Sequence, residues 1–288
     1  MQTVRLETES FLLTDTPSYV DEHKLFELFD ALAWRAPLCL SGPPGVAKSL
    51  SVQAWASRAK VPFIDYACSE DTRRAHLVGM LQLHAAEGGE STPFVLGPLP
   101  TAIEVANECG YCVLCLDEVS ALAPTMQKVL NPLLDFRKSL TVPEARRVFR
   151  LERGAKLWIV ATMNTVAFGG VYALNTDLKS RFNIYDVSYY TEVQERFVLE
   201  AIVPTAFAEL DGAVVDAVLR LVTETRAGKF DYAISTRDAA QYLENIQLLG
   251  PRRASYLLRG KFDGEDVGLL NRRLISLLDV DLDEEAAA

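Results

Sequence analysis

Leu38-Cys39-Leu40-Ser41-Gly42-Pro43-Pro44-Gly45-Val46-Ala47-Lys48-Ser49 is the stretch that decides the fold. A short apolar run enters a glycine-proline loop and helix formers resume from Ser49 to Lys60, which gives the order strand, glycine loop, helix. Gly42 to Ser49 fit the phosphate-binding pattern GxxxxGK followed by Ser or Thr, except that Ala47 stands where the pattern asks for its second glycine. In such a loop successive backbone N–H groups face phosphates at the start of a helix, the lysine reaches the outer phosphates and the hydroxyl ligates Mg²⁺. Lys48 and Ser49 occupy those places, with Gly42, Pro43, Pro44, Gly45, Val46 and Ala47 as the cradle. The alanine methyl is tolerable if the backbone at 47 is helical and disabling if it is left-handed.

Outward from the loop, helical spacing covers Val20 to Trp34, and apolar runs recur at Pro62 to Ala67, Tyr111 to Leu116, Leu157 to Thr162 and Asn183 to Val187. Helix-like segments at Thr101 to Glu108, Ala123 to Arg137 and Leu174 to Lys179 separate them. Five strands alternating with helices predict a parallel sheet covered on both faces. Two segments, about 81–98 and 140–151, read as hairpin insertions. After Tyr190 the strand signals stop, and Val193 to Ile202, Val214 to Thr225, Arg237 to Leu249, Arg252 to Gly260 and Leu269 to Leu278 carry helical spacing. The expected organisation is a helical lead-in at 1–35, an α/β core at 36–190, a helical unit at 191–280 and an acidic, alanine-rich tail at 281–288, with fraying expected from Asp279.

Composition narrows the function classes. The chain has 288 residues, 49% hydrophobic and 24% charged, enough for a sizeable core. Its net charge of −10 gives no general reason to bind polyanions. No run of about 18 apolar residues and no signal-peptide layout is present, so the expected place is the cytoplasm, with no membrane partner. Five cysteines cannot all pair within one chain. Cys109, Cys112 and Cys115 read as CxxCxxC, yet on a buried strand Cys112 and Cys115 would point to opposite faces, and core packing is the better account.

Val113-Leu114-Cys115-Leu116-Asp117-Glu118 is an apolar strand that ends in two carboxylates. Beside a phosphate loop, Asp117 would hold Mg²⁺ and Glu118 would polarise the water that attacks the γ-phosphate. Lys156 to Asn164 is a further apolar strand, and its terminal amide could help position that water. Arg181, in Leu178-Lys179-Ser180-Arg181-Phe182, reads either as an exposed surface arginine or as a functional one. His23, His76 and His84 read as ordinary surface or packing residues, and Tyr185, Tyr189 and Tyr190 read as core or interface.

The ordered set GPPGVAKS, LCLDE, ATMN, LKSRF and Ile234-Ser235-Thr236-Arg237-Asp238 resembles the AAA+ ATPases, specifically the MoxR branch with its CbbQ/NorQ, CobS and GvpN-like relatives. The resemblance covers roughly Val20 to Leu278, and alanine before the loop lysine is a form seen in that branch. It implies an α/β P-loop NTPase core, a parallel five-stranded sheet flanked by helices, followed by a small all-helical lid. It implies ATP with Mg²⁺, Gly42 to Ser49 as Walker A, Asp117 and Glu118 as Walker B, and Asn164 as sensor 1. It also makes Arg181 an arginine finger acting on a neighbouring subunit's nucleotide, and Arg237 sensor 2.

A hexameric ring and a protein client follow from the same resemblance, in some relatives beside a partner with a von Willebrand A domain. The two hairpins resemble the helix-2 insert and the pre-sensor-1 hairpin. The second carries Arg146, Arg147, Arg150 and Arg153, either a solvated face or a surface for an acidic partner or polymer. A nucleic-acid motor or restriction-type subunit is the less favoured reading. A small-molecule kinase or GTPase fits poorly, since no Asn-Lys-x-Asp element is present, and a non-hydrolysing sensor is disfavoured by Glu118 and Arg181.

Overall fold

In a computed structural model, which describes residues 7–15, 18–82, 84–86, 89–91, 93–164 and 172–283, the five apolar runs form one parallel sheet. In chain order the N-terminal elements are α1 (Leu25–Leu32), β1 (Leu38–Gly42), α2 (Lys48–Ala59), β2 (Phe63–Ala67), α3 (Arg74–Val78), β3 (Gly79–Leu81), β4 (His84–Ala86), β5 (Gly89–Ser91), β6 (Phe94–Leu96) and α4 (Pro98–Cys109). There follow β7 (Tyr111–Asp117), α5 (Pro124–Leu134), β8 (Ser139–Val142), β9 (Arg147–Arg150), β10 (Lys156–Asn164), α6 (Thr176–Lys179) and β11 (Asn183–Asp186). The C-terminal helices are α7 (Glu192–Ile202), α8 (Pro204–Glu209), α9 (Gly212–Glu224), α10 (Thr236–Leu249), α11 (Pro251–Arg259) and α12 (Glu265–Leu278).

The chain divides into two units, Met1–Pro43 with Ala47–Ser188, and Tyr189–Ala288 with the loop tip Pro44–Val46. In the first, the sheet order is β11-β1-β10-β7-β2 with every neighbour parallel. Near-continuous apolar strands suit this position, because both faces of such a sheet are covered. One face carries Cys112, Leu114, Leu116, Ile159 and Ala161 into a core shared with Leu99, Ile103 and Ala106 of α4 and Leu130 and Leu133 of α5. On the other, Trp158 meets Trp55 of α2 and Phe29 of α1 edge-on, at ring separations of 5.0 and 5.7 Å. The buried Trp158 indole N–H donates to Ala36 O at 2.9 Å. Leaving that N–H unmet would cost about 1–3 kcal/mol.

Three expectations shift. The first helix begins at Leu25 rather than Val20, because the Asp21 carboxylate accepts from the N–H groups of Leu25 and Phe26 (2.7 and 2.9 Å) and Lys24 is left-handed. Capping stops the helix where periodicity alone would continue it. Helix α5 ends at Leu134, short of Arg137, since Asp135 turns to accept from the Arg137 N–H and guanidinium. That turn leaves Phe136 94% exposed. The segment at 81–98 is a longer ladder than one hairpin, β3 pairing with β6 and β4 with β5 inside them. The side chains of 83–92, His84 among them, lie outside the described residues.

The second unit, described by itself, is helical around Leu199, Val218, Leu221, Leu243, Leu258, Leu270 and Leu274. Asp279 to Asp283, expected to begin a frayed tail, is packed: Val280 and Leu282 are buried, and Leu282 N donates to Asn271 Oδ1. Residues 284–288 lie outside the described residues.

Candidate functional site

Three strands deliver the polar residues to one edge of the sheet. In a parallel sheet all carboxyl ends lie together, and β1, β10 and β7 are successive neighbours, so Gly42, Asn164 and Asp117 end side by side. This edge is where open α/β sheets bind ligands. Gly42 is required sterically: a Cβ there would lie 2.1 Å from Val187 O. Gly45 has φ +77°, a conformation that glycine adopts freely.

Ala47 is left-handed as well, at φ 58° and ψ 30°. Of the two alternatives set out for this position, the backbone takes the unfavourable one. The cost is about 1–2 kcal/mol for a residue with a Cβ, a strain rather than an exclusion. The loop nonetheless leads directly into α2, and Lys48 and Ser49 open that helix.

Lys48 Nζ donates to Gly42 O at 3.0 Å, Pro43 O at 2.7 Å and Asn164 Oδ1 at 3.1 Å. Burial lowers its pKa to about 8, against the opposing influence of Asp117 and Glu118. Asn164 Nδ2 in turn donates to Glu118 Oε1 at 3.3 Å. A second chain of contacts runs alongside: the Ser49 and Thr162 hydroxyls both donate to Asp117 Oδ1, and Glu118 N donates to Thr162 Oγ1 at 3.0 Å. Glu118 is itself left-handed, at φ 55° and ψ 46°. Strained backbone of this kind persists where surrounding bonds over-determine it.

Lys48, Ser49, Asp117, Glu118 and Asn164 are thus one bonded group, and Thr162 is the member that sequence reading missed. Its signal was its place two residues before Asn164 on one strand, hence on the same face. The Ser49 hydroxyl and Asp117 carboxylate form a pair of hard oxygen donors of the kind Mg²⁺ takes. Among the described residues no group of three His, Cys, Asp or Glu is placed to hold a metal ion.

Two predicted residues, Arg181 and Arg237, are not among the members of this bonded group. Arg181 follows α6, where Nη1 donates to Asp177 O at 3.3 Å and Nε is buried without a hydrogen-bond partner among the described residues. Arg237 is the exposed second residue of α10 in the helical unit. That helix starts from a capping box: Asp238 accepts from Ser235 N at 3.0 Å and Ser235 Oγ at 2.6 Å, with Tyr232 and Lys261 also donating to it.

Of the three strand-region cysteines, Cys109 is exposed and Cys112 and Cys115 are buried. Burial pushes the Cys39 and Cys68 thiols up to about 12 and the Cys112 and Cys115 thiols well above their ordinary value. All four remain protonated and serve as packing groups.

The family profile described as "AAA domain (dynein-related subfamily)" matches residues 37–182. The chain is 31% identical to protein CbbQ of Hydrogenophilus thermoluteolus over 234 residues, 79% of this chain and 80% of that protein. It is 28% identical to the uncharacterized protein YojN of Bacillus subtilis (strain 168) over 258 residues, covering 88% and 81% of the two chains. A mutant of RuvB from Thermotoga maritima has the same fold, with a TM-score of 0.53 at 13% identity over 92% of this chain and 74% of that one. With the five-stranded sheet, the loop and the acidic strand end in place, the chain belongs to the AAA+ P-loop ATPase family and, within it, to the MoxR branch that includes CbbQ.

Proposed function

We propose that this chain is a cytoplasmic, ring-forming ATP hydrolase that remodels a protein client.

 Lys48 neutralises the outer phosphates, and Ser49 with Asp117 would hold the Mg²⁺ that supplies further charge neutralisation there. Glu118 accepts the proton of the attacking water as the bond to the leaving ADP breaks in line. Asn164, bonded to both Lys48 and Glu118, keeps the base and the phosphate-binding cation in register. Arg181 stabilises the charge at a neighbouring subunit's nucleotide, and Arg237 reaches nucleotide from the helical unit. A hexamer is the ring size carried over from the family.

The observation that supports this reading is the single bonded group at the carboxyl edge of the sheet, which gathers a cation, two hydroxyls, two carboxylates and an amide. The test is ATP turnover per subunit against protein concentration, with Arg181→Ala in parallel. Turnover that rises steeply, saturates and collapses in the variant supports a shared active site. Flat turnover that ignores Arg181 means a self-contained site and overturns the ring mechanism.

A further inference from the structure

The segment from Arg137 to Lys156 holds seven basic residues and two acidic ones, a net +5 that leaves −15 for the rest of a chain whose total is −10. This basic island is the β8–β9 hairpin with its flanks. Its register, Ser139 opposite Arg150 through Val142 opposite Arg147, sends Arg147, Val148 and Arg150 to exposed positions and buries Phe149.

Beside the hairpin lies a groove of about 610 Å³, walled by Glu104 and Asn107 of α4 and by Arg147, Val148, Arg150 and Arg153. Asn107 fixes its floor, donating to Arg150 O at 3.0 Å and accepting from Glu152 N at 2.9 Å. Arg147 is committed, since it donates to both Glu104 oxygens at 3.0 Å and lies over the Phe149 ring. Arg150 and Arg153 are exposed and make no side-chain hydrogen bond or ion pair among the described residues.

We propose that this groove binds an extended, carboxylate-rich segment of a separate protein, with Arg150 and Arg153 taking its carboxylates. Arginine presents a planar fork that matches a carboxylate bidentately. The half-exposed Val148, which lines the same groove, offers an apolar contact that suits a polypeptide better than a sugar-phosphate chain. The strongly acidic remainder of the molecule repels a long polyanion but tolerates a short acidic segment seated on the island. The chain's own acidic run at Asp279 to Asp283 is not the occupant, because Val280 and Leu282 are buried within the helical unit. The inference rests on the protein-remodelling reading for its purpose only, since binding is measured without nucleotide.

The experiment uses the full chain and a fluorescein-labelled decapeptide of alternating glutamate and valine, read by anisotropy. Saturable binding is expected, weakened about tenfold or more in the Arg150→Glu, Arg153→Glu double variant, with ATP turnover and thermal unfolding unchanged. No binding by the native chain, or equal binding by the variant, overturns the proposal. Tighter binding of a labelled single-stranded oligonucleotide that the variant loses would assign the groove to nucleic acid instead. Self-association lost in the variant, without peptide binding, would assign it to a second copy.

Discussion

The Thr162 hydroxyl accepts the main-chain N–H of Glu118 at 3.0 Å while donating its own proton to Asp117, so one side chain fixes both acidic residues. Removing it frees a left-handed glutamate whose backbone N–H then lacks its partner. Thr162→Val keeps the volume and loses both bonds. Its expected effect is a fall of about tenfold or more in kcat with ATP affinity changed much less, since Lys48 does not depend on Thr162. Thr162→Ser restores the hydroxyl and should recover most of the rate, which a purely steric role would not require.

Ala47 invites the opposite change. Ala47→Gly relieves left-handed strain of about 1–2 kcal/mol and gives back part of it as extra freedom in the unfolded chain. The net expectation is a gain of about 0.5–1 kcal/mol in urea unfolding of the native protein. An unchanged midpoint would mean that the loop relaxes elsewhere to accept the alanine.

How much of this was legible in the sequence differs residue by residue. The strand runs at Leu38, Tyr111 and Leu157 could be read because a sheet buried on both faces demands continuous apolar stretches. The loop, Asp117, Glu118 and Asn164 could be read because each sits where such a strand stops. Thr162 was missed although it shares a face with Asn164, because a threonine inside an apolar strand is also an ordinary strand former. Its role depends on β10 lying beside β7, with Ala161 opposite Leu116, and linear order does not specify that pairing. The early stop of α5 has a local cause instead, Asp135 bonding the chain two residues on, which helical spacing alone does not register.

Lys48 gives a pH prediction. Its pKa is lowered by burial to about 8, so above that pH the free protein loses the ammonium that phosphates require. ATP affinity should hold steady below pH 8 and weaken by up to about tenfold per unit above it, with a proton taken up on binding. Titration calorimetry in buffers of different ionisation enthalpy measures both. The stability sign follows separately: between about 8 and the ordinary value of 10.5, the unfolded lysine holds a proton that the folded one has lost. Lys48 alone therefore makes folding more favourable as pH rises through that window and less favourable below it. Lys48→Met should flatten the affinity profile.

In the helical unit, Glu195 and Arg226 form a buried pair, their side chains 2% and 8% exposed. Both guanidinium ends meet the carboxylate, at 2.8 and 3.0 Å, Nε donates to Ile234 O at 2.8 Å, and the group lies over the Tyr189 ring. Such a pair is costly to desolvate, and cutting one partner leaves an unmatched buried charge. Arg226→Met or Glu195→Leu alone should each cost about 3–5 kcal/mol of this unit's stability. The double variant should cost clearly less than the two together, because no charge is then stranded. Urea unfolding of the three variants, followed by helical circular dichroism, separates the outcomes, and strict additivity would show that the two side chains stabilise the unit independently.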